Sequence, residues 1–271
     1  MAGSCESVGD GAATPSGAEF FTPAYLEERR RALAQLPGPV GMDELEPRGP
    51  AGHAYAIRKS TWLTSEFRRQ HREGAMDITP QDVIDALVAG GVKDWVLMGL
   101  HGYVGYMSEP RATQDVDVMV GYSSRARAKK AILARWPGLT VRELSQVLRF
   151  ADPADADAEG KPKQVIDLMH PYSPFQELIL KEYVLVDAKT KHRLPALEAA
   201  LVSKYAAMIS PYRDRKRKEY DAGDFRQLVQ ANRDHIREDD LRRLASLVWE
   251  NGGDEICRFI QLALSDQPFP I

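Results

Sequence analysis

Apolar positions along the chain change their spacing near residue 190. Between residues 79 and 190, short apolar runs alternate with stretches of helical spacing, and beyond them the helical spacing takes over. In "TPQDVIDALVAGG", Val83, Ile84, Leu87 and Val88 form a helical stripe. Thr79 is placed to cap this helix, Pro80 to open it and Gly90-Gly91 to stop it. "DWVLMG" then reads as a buried strand, "LHGYVGYM" as a short helix and "DVDVMV" as a second strand. "SSRARAKKAILARW" reads as a helix capped by Ser123 or Ser124, and "TVREL" and "QVLRFAD" as strands. "PADADAEGKPK" reads as a polar loop before the strand "QVIDLM". The helix "FQELILKEY" and a hairpin in "YVLVDAKTKHRL" lead to four further helices, in "LPALEAALVSKYAAMI", "KEYDAGDFRQLVQ", "LRRLASLVWE" and "DEICRFIQLAL".

The pattern predicts an α/β region at 79–190 and a helical domain at 191–271. Residues 1–18, rich in Gly, Ala and Ser, are expected to be disordered. Residues 19–78 are expected to form a helical extension. In it, "AYLEERRRALAQLPGPVG" is a short helix stopped by Pro-Gly-Pro, "MDELEPRGPAGH" a loop and "STWLTSEFRRQHREG" a second helix.

Composition narrows the function classes. A net charge of -3 over 271 residues excludes a nucleic-acid coat built on global charge, although a local basic patch is compatible with it. The two cysteines, Cys5 and Cys257, lie far apart and form no CxxC or Cys/His cluster, so neither a disulfide framework nor a zinc site is expected. The N-terminus lacks the basic start and apolar run of a signal peptide, and no stretch has the ~18 apolar residues of a membrane span. A cytoplasmic protein is the expectation.

The chemistry lies in "PRATQDVDVMV". In a strand, residues two apart share a face, so Asp115 and Asp117 share one face and Val116, Val118 and Val120 the other. The acids either face water or hold a cation. Two close, partly buried carboxylates repel, and a divalent ion removes that cost. Mg²⁺ suits a few carboxylates plus substrate phosphates. Asp167, inside the apolar run "QVIDLM", is the candidate third ligand. Upstream, "VLMGLHG" ends a strand at Gly99 and opens a helix, where backbone amides can meet a phosphate. "DADAEG" begins like a calcium loop, but its twelfth position falls on Ile166.

Strand–Gly–helix, then "PRATQDVD", then a single Asp in a later strand, resembles the DNA polymerase β-like nucleotidyltransferase superfamily. More narrowly, the chain looks like the AbiEii-type abortive-infection toxins, through "SKYAAMISPYR" with Lys204 and Arg213 and "KEYDAGDF" with Lys218, Asp221 and Asp224. The resemblance covers roughly residues 80 to 230. It implies a nucleotidyltransferase core with a short mixed sheet flanked by helices, followed by a C-terminal helical bundle. It implies Mg²⁺ or Mn²⁺ on Asp115, Asp117 and Asp167, and Lys204 reaching a phosphate. It implies a nucleoside triphosphate held near Gly99, Leu100, Arg111, Thr113, Arg213 and Asp221. The acceptor would be an RNA such as tRNA, a protein or a small molecule, and an antitoxin protein a further partner. Three features depart from the family: Leu100 stands where Ser or Gly is usual, the gap from Gly99 to Asp115 is at the long end, and the Lys-Asp pair is opened to Lys218-Glu-Tyr-Asp221.

Leu197, Ala200, Leu201, Lys204 and Met208 share one helical stripe, which puts Lys204 either at the edge of an apolar face or in the cleft. Asp221 shares a stripe with Phe225 and Leu228, so it faces inward and needs a cation, with Lys204 and Arg213 as candidates. The run Arg213, Arg215, Lys216, Arg217, Lys218 is either a solvated face or a steering patch for a triphosphate or RNA. Two rival readings remain: a nucleotide- or RNA-binding protein without turnover, and a DxD glycosyltransferase. The latter requires a Rossmann-like half upstream, and only one strand closely precedes the acidic pair.

Overall fold

The computed structural model describes residues 50–71, 74–108, 113, 115–156, 160–187 and 190–271. The expectations for residues 1–18, for the helix in 24–41 and for Arg111 lie outside these residues. All described residues belong to one compact unit.

Two helices come first: α1 (Pro50–His71) and α2 (Pro80–Ala89). Helix α1 starts within a stretch expected to be a loop, and takes in the expected helix from Ser60 onward. Helix α2 is specified at its start. The Thr79 side chain accepts from the Asp82 amide, and the Asp82 carboxylate accepts from the Thr79 amide, completing a capping box. Val83, Ile84 and Leu87 are buried as their spacing requires, but Val88, expected on the same stripe, is exposed.

The sheet follows. Strands β1 (Trp95–Leu97), β2 (Val116–Val120), β3 (Thr140–Glu143), β4 (Val147–Ala156) and β5 (Pro162–Met169) form one mixed sheet in the order β1-β2-β5-β4-β3. Only β2 and β5 pair in parallel; the other neighbours are antiparallel. Between β1 and β2 lies the one-turn helix α3 (Gly99–Tyr103), continued as a 3₁₀ turn over Val104–Tyr106. Helix α4 (Arg125–Arg135) joins β2 to β3. Ser124 sits at its N-cap position, but its side chain makes no capping hydrogen bond.

The first part of the segment expected as a polar loop is strand: β4 continues to Ala156. The buried Asp152 explains this. It accepts hydrogen bonds from the Met76 and Ala154 amides at 2.6 and 2.9 Å, so it has partners inside the fold.

The chain ends in helices, as its periodicity predicts, although the one expected in "LRRLASLVWE" starts at Glu238 and stops at Ala245. Helix α5 (Pro174–Glu182) leads to a two-stranded hairpin of β6 (Val184–Val186) and β7 (Arg193–Pro195). Helices α6 (Leu197–Ile209), α7 (Arg215–Ala231), α8 (Glu238–Ala245) and α9 (Gly252–Leu264) complete the chain.

Strand alternation divides the interior in two. Trp95, Leu97, Val116, Val118 and Val120 pack on one side of the sheet with residues of α1, α2 and α4. Val96 and Met119 turn to the other side and join the core of α5 through α9. The C-terminal helices therefore cover the sheet face that carries Asp117. Replacing Thr79 with Ala should cost about 1 kcal/mol of unfolding free energy, read by urea denaturation with an unchanged m-value. A neutral result would mean that packing alone fixes the start of α2.

Candidate active site

The parallel pairing of β2 on β5 sets Asp117 directly opposite Asp167. Directly paired residues share a face, so both carboxylates rise from the same side of the sheet. The Met98 amide donates to the Asp117 carbonyl at 2.8 Å, which ties the chain after β1 to the same row. Asp115 lies just before β2, where its Oδ1 accepts from the Thr113 hydroxyl at 2.8 Å. Thr64 of α1 donates to the Thr113 carbonyl at 2.8 Å and so braces Thr113. The sequence offers no signal for Thr64, since nothing local to α1 points toward an acidic strand.

Gly99 is required where it stands. Its φ of 60° lies in the left-handed region, and a Cβ there would come within 1.9 Å of Asp117 Oδ2. The glycine thus leaves room for the carboxylate. Leu100 beside it is buried in the core of the C-terminal helices and brings no hydroxyl to the site.

The electrostatics follow from this crowding. Burial pushes Asp117 up to about 8, and the charges of Asp115 and Asp167 add to the rise, while Lys204 and Arg213 oppose it. Burial pushes Asp167 up to about 6, against the opposing charge of Arg149. Asp167 Oδ1 is buried without a hydrogen-bond partner. An orphaned carboxylate oxygen beside two further acids fits a divalent cation. Among the described residues, no three His, Cys, Asp or Glu side chains form a ready-made metal site.

The helical third brings the cations. Lys204 Nζ donates to Asp221 Oδ1 at 3.0 Å and to Asp224 Oδ2 at 2.7 Å. Arg213 Nε lies 2.5 Å from Asp221 Oδ2. Asp221 thus takes both candidate cations as partners, and Lys204 is committed to two acids at once. Tyr103 lies under this group, with Lys204 Nζ 5.8 Å from its ring centroid, and burial pushes its hydroxyl above the usual phenol range. Arg217, in the first turn of α7, bears electrostatically on Asp167.

The structure therefore gathers Gly99, Thr113, Asp115, Asp117, Asp167, Lys204, Arg213 and Asp221 around one end of β1, β2 and β5. Arg149 is the neighbour that sequence reasoning missed. It stands opposite Asp167 in the β4–β5 register, with Nε 3.8 Å from Asp167 Oδ2. Alternation within "QVLRFAD" sets Arg149 apart from the buried Leu148 and Phe150, but only the register places it beside Asp167.

No family model matches the chain, and no curated protein matches it. Among solved structures, the chain is similar to an antigenic nucleotidyltransferase-like protein from Paracoccidioides brasiliensis. That match has 14% identity, covers 69% of this chain and 90% of the other, and has a TM-score of 0.42. A second similar structure is ANT(2")-Ia in complex with adenylyl-2"-tobramycin, at 12% identity over 68% of this chain and 94% of the other, TM-score 0.35. A third is terminal uridylyl transferase 4 from Trypanosoma brucei with bound GTP, at 14% identity over 67% of this chain and 58% of the other, TM-score 0.28.

Two outcomes are expected from these charges. Asp117 and Asp167 have folded-state values above their ordinary ones, so the folded protein binds more protons than the unfolded chain across the interval from about 4 to about 8. Their contribution to stability is full below the ordinary carboxylate value and is lost as pH rises through 6 and 8. Without divalent ions, Asp117→Asn should therefore raise Tm relative to the parent, and the gain should grow between pH 5 and pH 8.5. A gain independent of pH would contradict this electrostatic account. Lys204→Met should cost about 3–5 kcal/mol in denaturant melts, because Asp221 and Asp224 stay buried with less positive charge. A cost under 1 kcal/mol would show that Arg213 alone suffices.

Proposed function

We propose that the chain is a nucleotidyltransferase that moves an NMP from a nucleoside triphosphate to an acceptor hydroxyl, using Mg²⁺ or Mn²⁺. The observation that carries this reading is the registered pair Asp117–Asp167, with Gly99 leaving room for the Asp117 carboxylate. A purely structural role for these acids would not favour a pair whose charges oppose one another at neutral pH.

Asp115, Asp117 and Asp167 would hold the cation. When bound, it neutralises charge on the phosphate and on the departing pyrophosphate. The chain's own residues do the rest. Gly99 lets the backbone approach the triphosphate closely, next to the start of α3. The acceptor oxygen attacks the α-phosphorus, a new O–P bond forms, and the bond to pyrophosphate breaks. The hydroxyl proton passes to the Asp167 carboxylate, which rises from the same side of the sheet as Asp117. Lys204 and Arg213 act from behind as fixed positive charge that limits the repulsion on Asp117. Positioning and electrostatics supply most of the rate.

A second reading, nucleotide binding without turnover, is favoured by Leu100, whose side chain is buried where the family carries a hydroxyl or no side chain. Incubation of the full chain with each labelled nucleotide, Mg²⁺ and a cell extract separates the two. Transfer requires a labelled acceptor and pyrophosphate release, and the Asp115→Asn, Asp117→Asn double variant should lose both by a factor of about 100 or more. Full activity in that variant would sink the transferase assignment. Nucleotide binding without pyrophosphate would establish the second reading.

A further inference from the structure

One transverse row crosses four strands of the sheet. Asp117 on β2 pairs with Asp167 on β5, Asp167 with Arg149 on β4, and Arg149 with Arg142 on β3. Directly paired residues share a face, so two acids and two arginines lie in line on one side of the sheet. Neighbouring strands are about 4.8 Å apart, so Arg149 stands one step beyond the acids and Arg142 two.

Among the described residues, the other cations near the site have acidic partners, Arg217 pairing with Asp214 at 3.4 Å. Lys204 is shared between Asp221 and Asp224, and Arg213 is held by Asp221. Arg149 is not used up by Asp167: the 3.8 Å separation is beyond hydrogen-bond reach, and its Nε is buried without a hydrogen-bond partner. Its side chain keeps 41% of its exposure. Arg142 is exposed beside it, and like charges directly opposite one another are destabilising unless an anion relieves them.

The strand order assigns that anion a side. Gly99 follows β1 at one edge of the sheet, and the two arginines lie on β4 and β3 toward the other edge, with the acids between. A triphosphate next to Gly99 leaves the arginine side to the second substrate. We propose that Arg149, backed by Arg142, binds a phosphate carried by the acceptor next to its reacting hydroxyl. This rests on the transferase reading and names its acceptor class: phosphate-bearing, not neutral or polycationic. The planar guanidinium suits bidentate contact with phosphate oxygens.

The test measures equilibrium binding to the full chain with Mg²⁺ and a non-hydrolysable nucleoside triphosphate. The probes are a short single-stranded ribo-oligonucleotide, a nucleoside 5′-monophosphate, an unphosphorylated nucleoside and a polycationic aminoglycoside. A phosphate-bearing probe should bind at least tenfold more tightly than the nucleoside and the aminoglycoside. The favoured one of the first two identifies the source of the phosphate. Arg149→Gln should remove that advantage, Arg149→Lys should restore part of it, and the loss for the phosphate-bearing probes should exceed any change in triphosphate affinity at least tenfold. For the oligonucleotide, Arg149→Gln should also reduce the salt slope by about one. Equal binding of the nucleoside, or an Arg149→Gln variant that loses triphosphate affinity instead, would overturn the proposal. Phosphate-probe binding through Arg149 in a chain that binds no triphosphate would overturn the transferase reading and leave this contact standing.

Discussion

Like charges held at strand spacing must be compensated, and the parallel register of β2 on β5 imposes this on Asp117 and Asp167. Much of the surrounding structure answers that constraint. Gly99 gives up a side chain so that the Asp117 carboxylate has room. Thr113 holds Asp115, and Thr64 holds Thr113. Lys204 and Arg213 supply positive charge from the helical side, and Arg149 supplies it from β4. Burial still outweighs these cations, which leaves Asp117 and Asp167 with raised proton affinity.

The C-terminal helices thus have two roles at once. Through Val96, Met98 and Met119 they share a core with the sheet. Through Lys204, Asp221 and Asp224 they bring a nearly buried charge group to the edge of that core, with the exposed Arg213 beside it. Such a group is costly to desolvate and is a poor source of net stability. Its value lies in fixing α6 against α7, because Lys204 comes from one helix and both acids from the other.

The elements were legible where period and punctuation agreed. Thr79-Pro80 and Gly90-Gly91 bracket α2, alternation in "DVDVMV" separates the valines from the acids, and the four C-terminal helices carry clear apolar stripes. Legibility failed where a tertiary partner overrode local chemistry. The start of β4's polar tail reads as loop until Asp152 is seen to accept the Met76 amide, from 76 residues away in sequence. Helix α1 extends back into a Pro- and Gly-containing stretch, as propensity alone does not predict. The three acids were visible as residue types at suggestive spacing, since strand alternation is a local property. Arg149 was not, because membership in the site depends on which residue of β4 faces Asp167, and register is a property of two strands.

That register has a consequence for how the chain can change length. The β4–β5 ladder is irregular after Phe150 and again after Asp152, whereas the pairs Arg149–Asp167 and Leu148–Leu168 lie on the regular side. A bulge absorbs an extra residue by local bending and leaves the pairing on its far side intact. Homologous chains can therefore gain or lose residues at the distal end of this hairpin while the charged row keeps its alignment. An insertion between Val147 and Arg149 has no such buffer, and would turn Arg149 to the face where Leu148 and Phe150 are packed.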